Sequence, residues 1–120
     1  MDETGRFGED AAARWLEGHG HSILSRNWRG GRVELDIVSV SPSGIHFVEV
    51  KTRRAPAIAD PAVNVDAAKR RHIVAAAQKW LHSNPKLGNL EAFFDIITVI
   101  IDHDNTQINY YQQAFIPTYA

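Results

Sequence analysis

Residues 33 to 51 constrain the fold more than any other stretch of this chain. β-Branched and aromatic residues recur there with period two on both sides of Ser41-Pro42-Ser43-Gly44, whose residue types suit a turn, so the two runs read as an antiparallel hairpin. With those four residues as the loop, Val40 faces Ile45, Val38 faces Phe47, Asp36 faces Glu49 and Glu34 faces Lys51. All four charged side chains then share one face of the sheet, which Val38 and Phe47 mark as partly covered. Leu35, Ile37, Val48 and Val50 form the other face, which is apolar and expected to be buried.

Like charges directly opposite on a sheet destabilise it, by up to about 1 kcal/mol when exposed and more when desolvated. Asp36 facing Glu49 therefore needs a compensating positive charge. Lys51 supplies part of it, but a divalent cation shared by two carboxylate oxygens removes the repulsion more completely. An ordinary solvated charge ladder would alternate in sign instead of grouping three acids around one lysine.

With 120 residues, 44% of them hydrophobic, the chain is expected to form one domain over residues 1–120, with 112–120 as a C-terminal tail. The lack of cysteine excludes disulfides and zinc-thiolate sites, and it suits a reducing, cytoplasmic setting. No apolar run at the N-terminus suggests a signal peptide, and the longest apolar stretch, Phe93–Ile101, is interrupted by Asp95 and Thr98, so no membrane partner is expected. The six histidines are dispersed, without zinc spacing. A formal net charge of -1 hides an uneven distribution: residues 26–72 hold nine Lys or Arg against five acids, so the acidic cluster lies in the basic part of the chain. That combination suits a phosphate-bearing ligand drawn towards a metal site.

Helical spacing of Phe7, Ala11, Trp15 and Leu16 predicts a first helix over Arg6–His19, stopped by Gly18 and Gly20, with Glu9 off the apolar stripe. Ser22–Trp28 reads as a strand and Arg29-Gly30-Gly31-Arg32 as a turn. Thr52–Pro61 reads as an irregular connection containing Arg53 and Arg54. A second helix is expected from Asp66, as its cap, to Ser83, with Ile73, Ala76, Ala77, Trp80 and Leu81 inward and Lys69 extending that face. Lys69, Arg70 and Arg71 in its first turn oppose the helix dipole, a conflict that a bound phosphate or simple solvation would relieve. Phe93–Ile101 is the most apolar strand, and Asp95 within it is most simply a carboxylate bonded to backbone. A turn at Asp102-His103-Asp104-Asn105 leads to a last strand through Ile108 to Tyr111.

The order helix, three strands, helix, two strands, with an acid in the second strand and Glu-x-Lys in the third, resembles the restriction-endonuclease-like PD-(D/E)xK nuclease fold. More closely, the chain is similar to the YraN-like bacterial family. The matching stretches are Gly5-Arg6-Phe7-Gly8-Glu9, Asn27-Trp28-Arg29, Glu34-Leu35-Asp36, Phe47-Val48-Glu49-Val50-Lys51-Thr52-Arg53, Val65-Asp66 with Lys69, and Phe94-Asp95. Val33 departs from the pattern, which usually has Gly before the Glu. The resemblance implies an α/β core, a central mixed sheet flanked by helices, and a nuclease site. In that site Asp36 and Glu49 are metal ligands, Lys51 is the catalytic lysine, and Glu9 and Glu34 are auxiliary acids.

Combined with the hairpin register, this leads to an expectation of Mg²⁺ or Mn²⁺ held by Asp36, Glu49 and the Val50 carbonyl, with Lys51 beside the attacking water. Arg53, Arg54, Lys69, Arg70 and Arg71 are expected to contact phosphates. The expected function is metal-dependent hydrolysis of phosphodiester bonds in DNA, with branched or damaged DNA as the narrower expectation, by a monomer or homodimer. The alternatives are a nucleic-acid-binding module of the same fold without catalysis and a protein-binding or structural domain.

Overall fold

The structure, a computed structural model, describes residues 2–56 and 65–117. Helix α1 spans Glu3–Gly18, followed by strands β1 (Ser22–Gly30), β2 (Val33–Ser41) and β3 (Gly44–Arg54). Helix α2 (Ala67–Ser83), a 3-10 turn at Pro85–Leu87, and strands β4 (Ala92–Asp102) and β5 (Asn105–Tyr111) complete the order. The five strands form one mixed sheet in the order β1-β2-β3-β4-β5. Every neighbouring pair is antiparallel except β3 and β4, which run parallel because α2 carries the chain across between them. This is the α/β architecture and element order expected.

Each face of the sheet carries one helix. Ala12 and Leu16 of α1 pack on Ile37, Val48, Ile97 and Val99. Ile73, Ala76, Ala77 and Trp80 of α2 pack on Val38, Ile45, Phe47 and Phe94, the inner face expected for that helix. Burial of side chains such as Leu16, Ile37 and Phe47 stabilises the fold by about 1.5–3 kcal/mol each. Asp66 caps α2 as expected, its side chain accepting from Lys69 N at 2.8 Å, and Asp2 caps α1 through Gly5 N at 2.7 Å. Among the described residues no helix is long and apolar enough to cross a membrane.

Several local expectations are corrected. The α1 stripe is rolled: Phe7 is 43% exposed, whereas Gly8 and Glu9 are buried. A Cβ on Gly8 would lie 1.8 Å from Thr52 Oγ1 of β3, so the helix turns its smallest residue to the sheet, and the adjacent Glu9 is carried inward with it. The β2–β3 loop is shorter than expected, because Ser41 pairs with Gly44 and only Pro42 and Ser43 remain outside the ladder. Gly31 and Arg32 alone link β1 to β2, since Gly30 pairs with Val33.

Leu35 and Ile37 do not share a face: Leu35 packs with Trp28 in the α2 cluster and Ile37 in the α1 cluster. Between these rungs Asn27 has a left-handed backbone, φ 53°. Strand β3 continues to Arg54, so the irregular connection begins later than expected, and residues 57–64 of it lie outside the described residues. Of the expected tail, Phe115 is buried against Phe94, with ring centroids 5.3 Å apart, and residues 118–120 lie outside the described residues.

Candidate functional site

The β2–β3 ladder pairs Val40 with Ile45 and Val38 with Phe47, as the hairpin register requires, and its last rung is Ile37 with Val48. Beyond that rung the strands part, so Asp36–Glu49 and Glu34–Lys51 are not ladder pairs as expected. The side chain of Asp36 fills the opening instead, its Oδ2 accepting from Val50 N–H at 2.9 Å. The carboxyl of Asp36 also lies in hydrogen-bonding contact with that of Glu49. Desolvation, followed by the negative charge of Glu49, pushes the pKa of Asp36 up to about 8. The two acids thus meet, but through side chains across a fork in the sheet.

Glu9 enters the fork from α1 and Glu34 from the start of β2. A carboxylate oxygen from each of Glu9, Glu34 and Asp36 lies within 4.8 Å of the others. Glu9 is only 6% exposed, and its Oε1 has no hydrogen-bond partner among the described residues. Arg26 Nη2 stands 3.9 Å from that oxygen, too far for a hydrogen bond, and is committed to Asp10 at 2.6 Å. Burial raises the pKa of Glu9, with Arg26 opposing the shift. Arg29 Nη2 lies 3.6 Å from Glu34 Oε2.

The donor set fits a hard divalent cation. Opposite oxygens around Mg²⁺, each about 2.1 Å from the ion, are separated by roughly 4.2 Å, and this cluster lies within 4.8 Å. Its members are carboxylates without sulfur or imidazole, which suits Mg²⁺ or Mn²⁺. The protein neutralises this cluster only in part: Arg26, Arg29 and Lys69 stand 3.9, 3.6 and 3.2 Å from Glu9, Glu34 and Glu49, one buried oxygen of Glu9 has no hydrogen-bond partner among the described residues, and burial with the charge of Glu49 raises the pKa of Asp36.

The expected phosphate-binding residues separate into groups. Lys69 reaches the fork from α2, with Nζ 3.2 Å from Glu49 Oε1, and that carboxylate is the main cause of its raised pKa. Pairing with Glu49 accounts for a cation in the first turn of α2 without a bound anion. Arg53 lines the cleft on the β3 side of the acids, with Glu9, Asp36 and Glu49. Arg54 turns away and donates to Thr4 Oγ1 at 3.1 Å. Arg70 donates to Val65 O and lies 5.6 Å over the Phe115 ring, and with Arg71 it lines a separate cavity of about 140 Å³. Lys51 is half-buried on β3, beside Thr98 of β4.

Sequence reasoning missed Arg32 and His72, which line a cleft with Glu9, Glu34, Asp36 and Lys69. His72 follows Lys69 by three positions on α2, a spacing that puts both on one helix face and would have identified it. Val33 borders this cleft at the position where the resembled pattern has Gly. Asn27 was also missed as a participant; its side chain bonds the Glu9 carboxylate. The preference of Asn for left-handed backbone was the available signal.

A second polar cluster occupies the hairpin-loop end of the same sheet. Asp95 is fully buried and accepts from Gln113 N–H at 2.9 Å, the backbone bond expected of it. It also accepts from His46 Nδ1 at 2.7 Å and from the Tyr110 hydroxyl. With Nδ1 donating, His46 Nε2 accepts from the Ser41 hydroxyl at 2.7 Å.

A profile of the uncharacterised protein family UPF0102 matches residues 8–99. The chain is 42% identical over 118 residues to a UPF0102 protein of Bacteroides thetaiotaomicron, covering 97% of this chain and 94% of that one. It is 42% identical to one from Syntrophotalea carbinolica, over 92% of this chain and 89% of the relative. A UPF0102 protein of Lawsonia intracellularis is 37% identical over 94% of this chain and 85% of its own. Among solved structures, Pyrococcus furiosus SfsA in complex with Ca²⁺ matches with TM-score 0.43 and 14% identity, over 90% of this chain and 63% of that one. With the profile spanning both the fork and the Glu49-x-Lys51 strand, the chain belongs to the uncharacterised protein family UPF0102, the YraN-like family that its sequence stretches resemble.

Proposed function

We propose that this protein is a metal-dependent nuclease that hydrolyses phosphodiester bonds of DNA. The observation that carries the reading is the convergence of Glu9, Glu34, Asp36 and Glu49 at one fork, where one buried oxygen of Glu9 has no hydrogen-bond partner among the described residues and desolvation pushes the pKa of Asp36 up. A purely structural cluster would be completed by donors of the protein, as Asp95 is. Mg²⁺ or Mn²⁺ at this position supplies Lewis-acid polarisation of a phosphate oxygen and a more acidic bound water.

The residues have separable tasks. Asp36 would hold the cation with Glu9 and Glu34, whose oxygens lie within 4.8 Å of its own, on the α1 side, and with Glu49 and the Val50 carbonyl on the β3 side. The Val50 N–H fixes the Asp36 carboxylate in place. Lys51, two residues on from Glu49 along β3, would orient the attacking water or stabilise the charge that develops on the phosphate. Arg53 and Lys69 hold the strand over the acids, with Arg53 on the β3 side and Lys69 on α2.

The test pairs Glu49→Gln with Lys51→Ala. Calorimetric Mn²⁺ titration and single-turnover cleavage are measured on single-stranded, duplex, flapped and four-way DNA. Glu49→Gln is expected to lose metal affinity and cleavage together and to keep metal-free DNA binding. Lys51→Ala is expected to keep Mn²⁺ affinity and to lose about 10²–10³ in rate, the effect of removing one transition-state donor. Wild-type protein that binds DNA but neither takes up Mn²⁺ nor cleaves any substrate would refute the enzyme and favour a binding module.

A further inference from the structure

We infer that Lys69 is an internal counter-ion that changes partners: it neutralises Glu49 in the metal-free protein and moves to a phosphate of the nucleic acid when a divalent cation takes Glu49. This inference rests on the nuclease reading and specifies how its metal and its substrate are coupled. Three cations meet acids of the fork, and Lys69 stands nearest its partner. Its Nζ is 3.2 Å from Glu49 Oε1, against 3.6 Å between Arg29 and Glu34 and 3.9 Å between Arg26 and Glu9. Arg26 is also held by Asp10 at 2.6 Å. The Glu49 side chain is 12% exposed and that of Lys69 is 52% exposed, so the acid belongs to the fork while the ammonium keeps contact with solvent. Lys69 lines the same cleft as Glu9, Glu34 and Asp36.

The position of Lys69 makes the pair exchangeable. Asp66 accepts from Lys69 N–H at 2.8 Å, so the cap fixes the backbone there and leaves the flexible four-carbon stem to turn. Lys69 also occupies the first turn of α2, where the helix dipole favours anions and opposes an ammonium. Its tie to Glu49 offsets that cost. A divalent cation on Glu49 supplies the neutralising charge instead, and two cations at one largely buried carboxylate repel each other with little screening. The displaced ammonium then needs another anion, and a phosphate drawn to the cation brings one to the same cleft. By linkage, metal that frees Lys69 for phosphate strengthens nucleic-acid binding, and nucleic acid strengthens metal binding by the same factor. The free protein therefore holds metal less tightly than its acids alone allow, and loads it together with substrate.

The test removes the charge in Lys69→Gln and keeps it in Lys69→Arg. Calorimetric Mn²⁺ titration is run without nucleic acid. Binding of a fluorescent duplex DNA oligonucleotide is followed across salt concentrations, without metal and in saturating Ca²⁺, which also takes oxygen donors. Lys69→Gln is expected to bind Mn²⁺ about 5-fold more tightly than wild type, the low end of ordinary coupling between sites. Without metal its log–log salt slope should equal that of wild type. In Ca²⁺ the slope should be shallower than that of wild type by about 0.9, the loss of one phosphate contact on duplex DNA. Lys69→Arg should keep the wild-type slope in Ca²⁺, because charge and not packing carries the effect. A slope difference of the same size with and without Ca²⁺ makes Lys69 a permanent phosphate contact and overturns the exchange. Equal slopes in Ca²⁺, or unchanged Mn²⁺ affinity, overturn it as well. In each of these cases wild type that takes up Mn²⁺ and binds DNA leaves the nuclease reading standing, whereas wild type that binds neither removes both.

Discussion

The two polar clusters of this sheet differ in how far the protein satisfies them. At the hairpin-loop end, Asp95 is fully buried, yet three donors complete it: the His46 ring, the Tyr110 hydroxyl and the Gln113 N–H. Ser41 in turn satisfies the other nitrogen of His46. At the forked end, four carboxylates converge, one oxygen of Glu9 has no hydrogen-bond partner among the described residues, and the pKa of Asp36 is pushed up to about 8. Burial alone therefore does not separate the two clusters. The clusters differ in completeness: the three acids at the fork that meet a cation do so at 3.2–3.9 Å, and the buried oxygen of Glu9 lacks a hydrogen-bond donor among the described residues, a deficit that lowers stability unless a ligand makes it good.

Removing one acid from each cluster should give opposite signs, and this is the largest effect expected. Asp95→Ala leaves three donors without that acceptor in the core and should destabilise the fold by about 3 kcal/mol or more, at roughly 1–3 kcal/mol per orphaned group. Asp36→Asn keeps an acceptor for Val50 N–H and removes charge repulsion, so the metal-free protein should be as stable as wild type or more so. Urea denaturation of both variants without metal measures the difference. A loss from Asp36→Asn as large as that from Asp95→Ala would erase the contrast.

The same contrast separates what the sequence made visible from what it hid. The meeting of Asp36 with Glu49 was legible because period-two alternation and a short turn fix a hairpin register, and the rungs at Val38–Phe47 and Val40–Ile45 followed it. The fork beyond Ile37–Val48 was not legible, since a side chain inserted between β2 and β3 is a tertiary arrangement that strand alternation does not encode. Glu9 was hidden for a tertiary reason. The large apolar Phe7 pointed to one orientation of α1, whereas the close approach of Gly8 to Thr52 imposes another. Arg70 and Arg71, expected at phosphates, share a cavity apart from the fork because residues adjacent on a helix diverge by about 100° from Lys69 onward. The Asp95 network joins positions 41, 46, 95, 110 and 113, separations that no local pattern encodes.

Metal should sharpen the comparison next. A ligand at one hundred times its dissociation constant stabilises a folded protein by about 2.7 kcal/mol. Mn²⁺ at that level should raise the melting temperature of wild type by several degrees and leave Glu49→Gln unmoved. Tyr110→Phe, which weakens the completed cluster, should melt lower than wild type but retain the full Mn²⁺ increment. Differential scanning calorimetry with and without Mn²⁺ tests this, and loss of the increment in Tyr110→Phe would couple the two ends of the sheet.

The smallest effect expected is on pH. The folded pKa of Asp36, about 8, lies above the ordinary value of 3.8, so the folded protein binds a proton that the unfolded chain releases. Stability from this group is complete below about pH 4 and is lost as pH rises towards 8. Between pH 7 and 8 the metal-free protein should lose about 1 kcal/mol, just under the limit of roughly 1.4 kcal/mol per pH unit for one proton. Tyr110 has its pKa raised by burial and by the Asp95 bond, so its contribution is complete below its ordinary value of 10 and cannot produce a slope in this window. Denaturation midpoints at pH 7 and pH 8 should therefore differ in wild type, converge in Asp36→Asn, and remain separated in Tyr110→Phe. Saturating Mn²⁺ should also remove the slope, because a bound cation holds Asp36 ionised at both pH values. A slope that survives in Asp36→Asn would assign the titration to another group and undercut the reading of the fork as only partly neutralised.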